Sequence, residues 1–132
     1  MENKKNSLKV KVTGQTPEDL FLNATNNLTY LLKCNCKSNK VADIKRSIKI
    51  SSIDINSLLV DFLSEILYQS DTYQAIFSDI ELKKFTNSEI EAEIHGKQMN
   101  KLSHNIKLIN HQGVRIIRNS DGLWQTEIVF NA

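Results

Sequence analysis

Proline occurs once in this 132-residue chain and glycine only four times, which excludes a proline-rich linker or a glycine-rich low-complexity tract. Cysteine occurs twice, as Cys34 and Cys36. Two thiols one residue apart, with no second pair, match neither the zinc-ribbon pattern nor the CxxC redox spacing, and are read as ordinary thiols near a helix end. No apolar run approaches the ~20 residues of a membrane-spanning helix, and the opening MENKKNSLKV has no signal-peptide core. No membrane partner and a cytoplasmic location are therefore expected. A GxGxxG fingerprint, a phosphate loop and an HExxH motif are all missing, so the familiar nucleotide-binding and zinc-protease signatures do not apply.

What the chain does have is a composition that builds a core: 40% hydrophobic and 24% charged residues. No repeat or linker divides it, and residues 1–132 are expected to form one domain. Net charge is only +2, but it is unevenly distributed. Residues 1–53 carry ten basic and four acidic groups, residues 54–93 two basic and nine acidic, and residues 94–132 five basic and two acidic. If the strands of the two ends lie side by side, a basic face opposite an acidic one would steer docking to a charged partner. The most basic segment, Lys33 to Lys49, has no aromatic residues interleaved with its lysines. A stacking platform for single-stranded RNA is thus unsupported, and direct nucleic-acid binding is expected to be weak.

Hydrophobic periodicity orders the elements. Leu8, Val10 and Val12 alternate with lysines as a half-buried strand. Thr16–Pro17–Glu18–Asp19 reads as a helix start, with Thr16 as cap and two acids at the positive end of the dipole. Leu20, Phe21, Ala24, Leu28, Leu31 and Leu32 then share one side. A polar loop leads to a strand near 44–50. In Leu58–Thr72, LLVDFLSEILYQSDT, residues Leu58, Leu59, Phe62, Leu63, Ile66 and Leu67 make a dense apolar face. Ser57, Asp61, Ser64, Glu65 and Tyr68 form its polar stripe, and Asp54 is placed to cap it.

Ala75–Phe85 is predicted as a strand whose phase changes between Phe77 and Ile80, which calls for a bulge. Ile90, Ala92 and Ile94 alternate with Glu89, Glu91 and Glu93, and that glutamate row reads as a solvent face rather than a cation cage. Residues 96–105 read as a polar connection. Strands are expected at 106–109, 114–118 and 123–130, with Asn119–Gly122 as a hairpin turn. The fold class is α+β: β-α-β-α, then a run of mostly antiparallel strands, with two helices packed on sheet.

No catalytic constellation emerges. His95, His104 and His111 fall on different elements at spacings that define no metal site. Ser52, Ser57 and Ser64 have no neighbouring base. Asp61 and Glu65, four apart on one helix, could share a face, which suffices for a weak cation contact.

Four segments, in order, resemble the archease family, the small accessory proteins of the RtcB-type tRNA-splicing ligase. SLKVKVTGQTPEDLFLNA (7–24) is similar to the family's opening strand, glycine and helix. LLVDFLSEILYQSDT (58–72) resembles its most characteristic helix. IKLINHQGVRI (106–116) resembles a family strand pair, and LWQTEIVFNA (123–132) the closing strand. The resemblance implies an archease-like domain that is not itself an enzyme and docks on an RtcB-type RNA ligase. It also implies a divalent-cation corner, of Ca²⁺ type, at positions Ser7, Asn131 and the carboxylate of Ala132, with Asp61 nearby.

Departures from the family pattern fall on that corner. Lys4, Asn6 and Ser7 stand where the family has His-x-Ala-Asp, and Asn131 replaces its final aspartate. Gly96, Lys97 and Asn100 replace a Gly-Glu-x-x-Asp turn, and His111–Gln112 replace Tyr-His. A hard cation draws most of its affinity from carboxylates, so a weak or lost site is expected. A chaperone-like or protein-binding module with a different partner is the alternative reading.

Overall fold

The computed structural model describes residues 7–34, 40–100, 102, 106–110 and 113–131. The elements run β1 (Ser7–Gly14), α1 (Pro17–Cys34), β2 (Lys40–Ser51), α2 (Ile55–Tyr73), β3 (Ala75–Phe85), β4 (Glu89–Met99), β5 (Leu108–Ile109), β6 (Ile117–Arg118) and β7 (Trp124–Asn131). They form two sheets rather than one, and every pairing is antiparallel. In the first, β7 is central, with β1 along one edge and β5 and β6 on the other. In the second, β4 lies between β2 and β3.

The helix starts follow their caps. Thr16 Oγ1 accepts from Asp19 N at 3.1 Å, and Asp54 Oδ1 accepts from Ser57 N at 2.8 Å. Each bond satisfies an amide that the first helical turn leaves without a partner. The apolar faces of α1 and α2 meet the inner faces of the sheets around Phe21, which packs edge-on to Phe85 at 4.8 Å and against Phe62 at 6.2 Å. Leu28, Leu58, Leu63, Ile90, Ile128 and Phe130 are fully buried in the same core. Burying each such side chain contributes about 1.5–3 kcal/mol.

The register of β3 on β4 shifts between Phe77 and Asp79, the bulge that the change of phase demands. The polar connection expected over 96–105 is corrected at its start, because β4 continues through Met99. A glycine among polar residues resembles a loop in sequence. Here Gly96 instead lets two backbones touch, since a Cβ on it would lie 2.1 Å from the Ile76 carbonyl oxygen. The strands expected at 106–109 and 114–118 shorten to two stations on one edge of β7. The first station extends to Asn110, whose N–H donates to the Val129 carbonyl at 3.0 Å, and the second begins at Ile117 opposite Gln125. The Asn119–Gly122 turn is present, with Gly122 N donating to Asn119 O and Asn119 N to Leu123 O.

Candidate functional site

The corner read from the sequence is built by the ends of β1 and β7. Antiparallel register places Ser7 opposite Asn131, with Leu108 opposite Asn131 on the other edge. Ser7 Oγ donates to Asn131 Oδ1 at 3.1 Å, and Lys107 N donates to the Asn131 carbonyl at 2.8 Å. Ala132, Lys4 and Asn6 lie outside the described residues, as do Cys36, His104 and His111–Gln112. The two described members of the corner are a hydroxyl and an amide, and they bond each other. They bring no charge, and the Asn131 side-chain oxygen already accepts a hydrogen bond. These donors do not fit a hard divalent cation, which takes several oxygens with carboxylates among them.

Asp61 belongs to other surroundings. Its carboxylate accepts from Ser52 Oγ at 2.6 Å, which ties α2 to the end of β2. It lines a shallow hollow of about 560 Å³ together with Lys49, Ser51, Ser64, Glu65 and Tyr68, and neither Ser7 nor Asn131 lines that hollow. Glu65, its partner in the polar stripe, accepts from Gln69 Nε2 at 2.8 Å. Gln69 Oε1 in turn accepts from Arg46 Nε at 3.1 Å, and the Arg46 guanidinium stacks 4.3 Å over the Tyr73 ring. The stripe therefore holds the helix to β2 through hydrogen bonds.

Lys97 sits on the second sheet, bonded to Asp43 across the β2–β4 ladder, and this ammonium holds the Asp43 carboxyl below its ordinary range. The charged blocks of the sequence do not form two opposed faces there. Lys49 of the basic block reaches Glu91 of the acidic block at 3.7 Å, and Lys84 reaches Glu89 at 2.7 Å. On the first sheet, exposed Lys9 and Lys11 line up on β1, the strand from one end of the chain, beside β7 from the other. Lys11 and Arg115 share a hollow with Glu127, which is the register partner of Lys11.

One grouping escapes any reading of single strands. Glu93 and His95 on β4 stand beside Glu81 on β3, and one ligand atom from each lies within 4.8 Å of the others. The glutamate row is half-buried rather than fully solvated, with Ile90, Ala92 and Ile94 buried behind it. Spacing along β4 could not reveal a third member that only the β3–β4 register supplies. Among the described residues, no helix is long and apolar enough to cross a membrane.

The archease protein of Methanosarcina barkeri is 25% identical over 131 residues, spanning 92% of this chain and 87% of its own. A crystal structure of an archease from Thermotoga maritima, described as a possible chaperone, superposes with a TM-score of 0.69 at 13% identity. It covers 100% of this chain and 97% of that one. The solution structure of protein 1598 from Methanobacterium thermoautotrophicum gives 0.67 at 17% identity, covering 99% and 96%. At such identities these two likenesses establish the fold alone. The model of the Archease protein family matches residues 7–131, nearly the whole described chain. With sheets, helices and sequence agreeing over that span, this chain belongs to the archease family.

Proposed function

We propose that the chain is an accessory protein that activates or modulates an RtcB-type RNA ligase, in tRNA splicing or RNA repair in the cytoplasm, by docking and without a catalytic group of its own. The observation that carries the reading is the family match over residues 7–131. A protein that works by docking needs a complementary surface more than a reactive side chain. Exposed Lys9, Lys11 and Arg115, with Glu127 among them, leave the outer face of the first sheet net basic, a surface that suits an acidic partner. Because Ser7 and Asn131 are neutral and bonded to each other, the cation site at that corner is weak or lost, and docking carries the activation.

The test is the rate at which an RtcB-type ligase from the same source forms its guanylate intermediate, with and without this protein, in Ca²⁺, Mn²⁺ or chelator. Activation that survives chelation of Ca²⁺ supports docking as the means. Failure to activate a ligase of confirmed activity sinks the reading. A chaperone-like or protein-binding module with another partner would then stand, and one observation favours it already. The resemblance ties the corner carboxylates to ligase activation, and Ser7 and Asn131 do not supply them.

A further inference from the structure

We infer that Glu81, Glu93 and His95 form a binding site for a divalent transition metal of the zinc class, on the open face of the β2–β4–β3 sheet. Glu93 and His95 are two apart on β4 and so project from the same face. Glu81 is the register partner of Glu93 on β3. One donor atom from each of the three already lies within 4.8 Å of the others. Donors sharing a Zn²⁺ at bond lengths of about 2.0–2.2 Å stand roughly 3.5 Å apart, so small rotations of two long glutamates close the set. The backbone positions that matter are fixed by the ladder.

The donor chemistry selects the metal. An imidazole with two carboxylates suits Zn²⁺, Co²⁺ or Ni²⁺, whereas Ca²⁺ and Mg²⁺ take oxygen alone. Electrostatics points the same way, because like charges directly opposite on adjacent strands repel. Asp79, opposite His95, adds a further negative charge to the row. Lys83 is the internal competitor. Its ammonium donates to Glu81 at 3.1 Å, and Glu81 foremost, then Glu93, raises its pKa. A metal must displace it. This site is on a different sheet from the Ser7–Asn131 corner and owes nothing to it.

Titration of the full chain with Zn²⁺ by calorimetry, and with Co²⁺ by absorption, tests the inference. Co²⁺ separates this site from Cys34 and Cys36, since thiolate ligands give an intense near-ultraviolet band and nitrogen–oxygen ligands do not. One equivalent is expected to bind without that band. Removing even an outer-shell partner costs about 10- to 100-fold in metal affinity, so His95→Ala and Glu93→Gln should each weaken binding by at least about tenfold. Lys83→Gln should tighten it, a gain that misfolding cannot mimic. The inference is overturned if the chain takes up no metal, if the thiolate band accounts for the uptake, or if His95→Ala binds as the parent does.

Discussion

Ser7 and Asn131 close the β1–β7 ladder at its end, the serine hydroxyl donating to the asparagine side-chain oxygen at 3.1 Å. Two oxygens at this separation are placed to share a cation, yet neither carries charge. Restoring charge should therefore restore affinity. The double substitution Ser7→Asp and Asn131→Asp is expected to bind Ca²⁺ at least about tenfold more tightly than the parent, a difference of about 1.4 kcal/mol. Calorimetric titration with Ca²⁺ checks it. Equal, weak binding by both proteins would mean that the corner lacks the remaining oxygens a hard cation requires. Without the cation, the two new carboxylates repel across the ladder, so the double variant should melt below the parent until Ca²⁺ is added.

Gly96 and Gly122 separate two reasons for keeping a glycine. At Gly96 a Cβ would meet the Ile76 backbone at 2.1 Å, and backbone cannot rotate away as a side chain can. Gly96→Ala is expected to cost about 1–3 kcal/mol or more through overpacking. At Gly122 nothing lies near an added Cβ, but φ is +80°, so Gly122→Ala should cost only about 1–2 kcal/mol through the left-handed backbone. Urea denaturation of the two variants gives the comparison. A smaller loss at Gly96 than at Gly122 would contradict the close approach of β3 and β4.

Ion pairs on the second sheet set a pH dependence whose sign follows from the direction of each shift. Lys97 lowers the Asp43 carboxyl, and Lys84 lowers that of Glu89, in both cases through a direct hydrogen bond first and charge second. Their stabilisation is present above the ordinary carboxylate values of 3.8 and 4.5, and is lost as pH falls through the depressed values. Lys83 and Lys84 are raised by Glu81 and Glu89, so their share is present below 10.5 and is lost as pH rises through the elevated values. All four groups reach solvent, so the effect is expected to be small and to shrink in salt. Melting temperature across pH 2–6 should fall less steeply in Asp43→Asn than in the parent at low ionic strength, and the difference should fade at high ionic strength.

Much of this architecture was legible because it rests on local chemistry. Thr16 and Asp54 announce their helices through hydroxyl and carboxylate caps, and Ile90, Ala92 and Ile94 declare a strand through period two. The phase change after Phe77 gave away its bulge. What stayed hidden depends on tertiary neighbours. Gln74 ends α2 in a left-handed conformation at φ 51°, where a glycine would have been the visible signal. Arg46, Gln69 and Tyr73 read as unrelated residues until α2 lies on β2. The division into two sheets is likewise invisible in alternation, which fixes the faces of a strand but not the strands beside it. At the candidate site, the neutrality of Ser7 and Asn131 was plain in the sequence. That Asp61 bonds Ser52 and that Glu81 stands beside Glu93 and His95 required the register.

The docking reading makes a demand on the basic face of the first sheet. Lys9 and Lys11 project from β1 into solvent, and Arg115 borders the same hollow as Lys11. Complementary charge acts chiefly on the rate of encounter, and its effect falls with ionic strength. Replacing both lysines by glutamine should therefore slow association with the ligase several-fold at low salt and much less at high salt, with little change in stability, since both side chains are exposed and no like charge is set opposite Glu127. The same replacement at Lys45 and Lys49 on the second sheet serves as the control for net charge. Stopped-flow or surface-based association rates, read beside the guanylylation assay, distinguish the two faces. Equal loss from either pair would show that overall charge, and not a located surface, brings the partners together. A loss confined to Lys9 and Lys11 would support docking of the partner on the β1–β7 sheet, the sheet whose end carries Ser7 and Asn131.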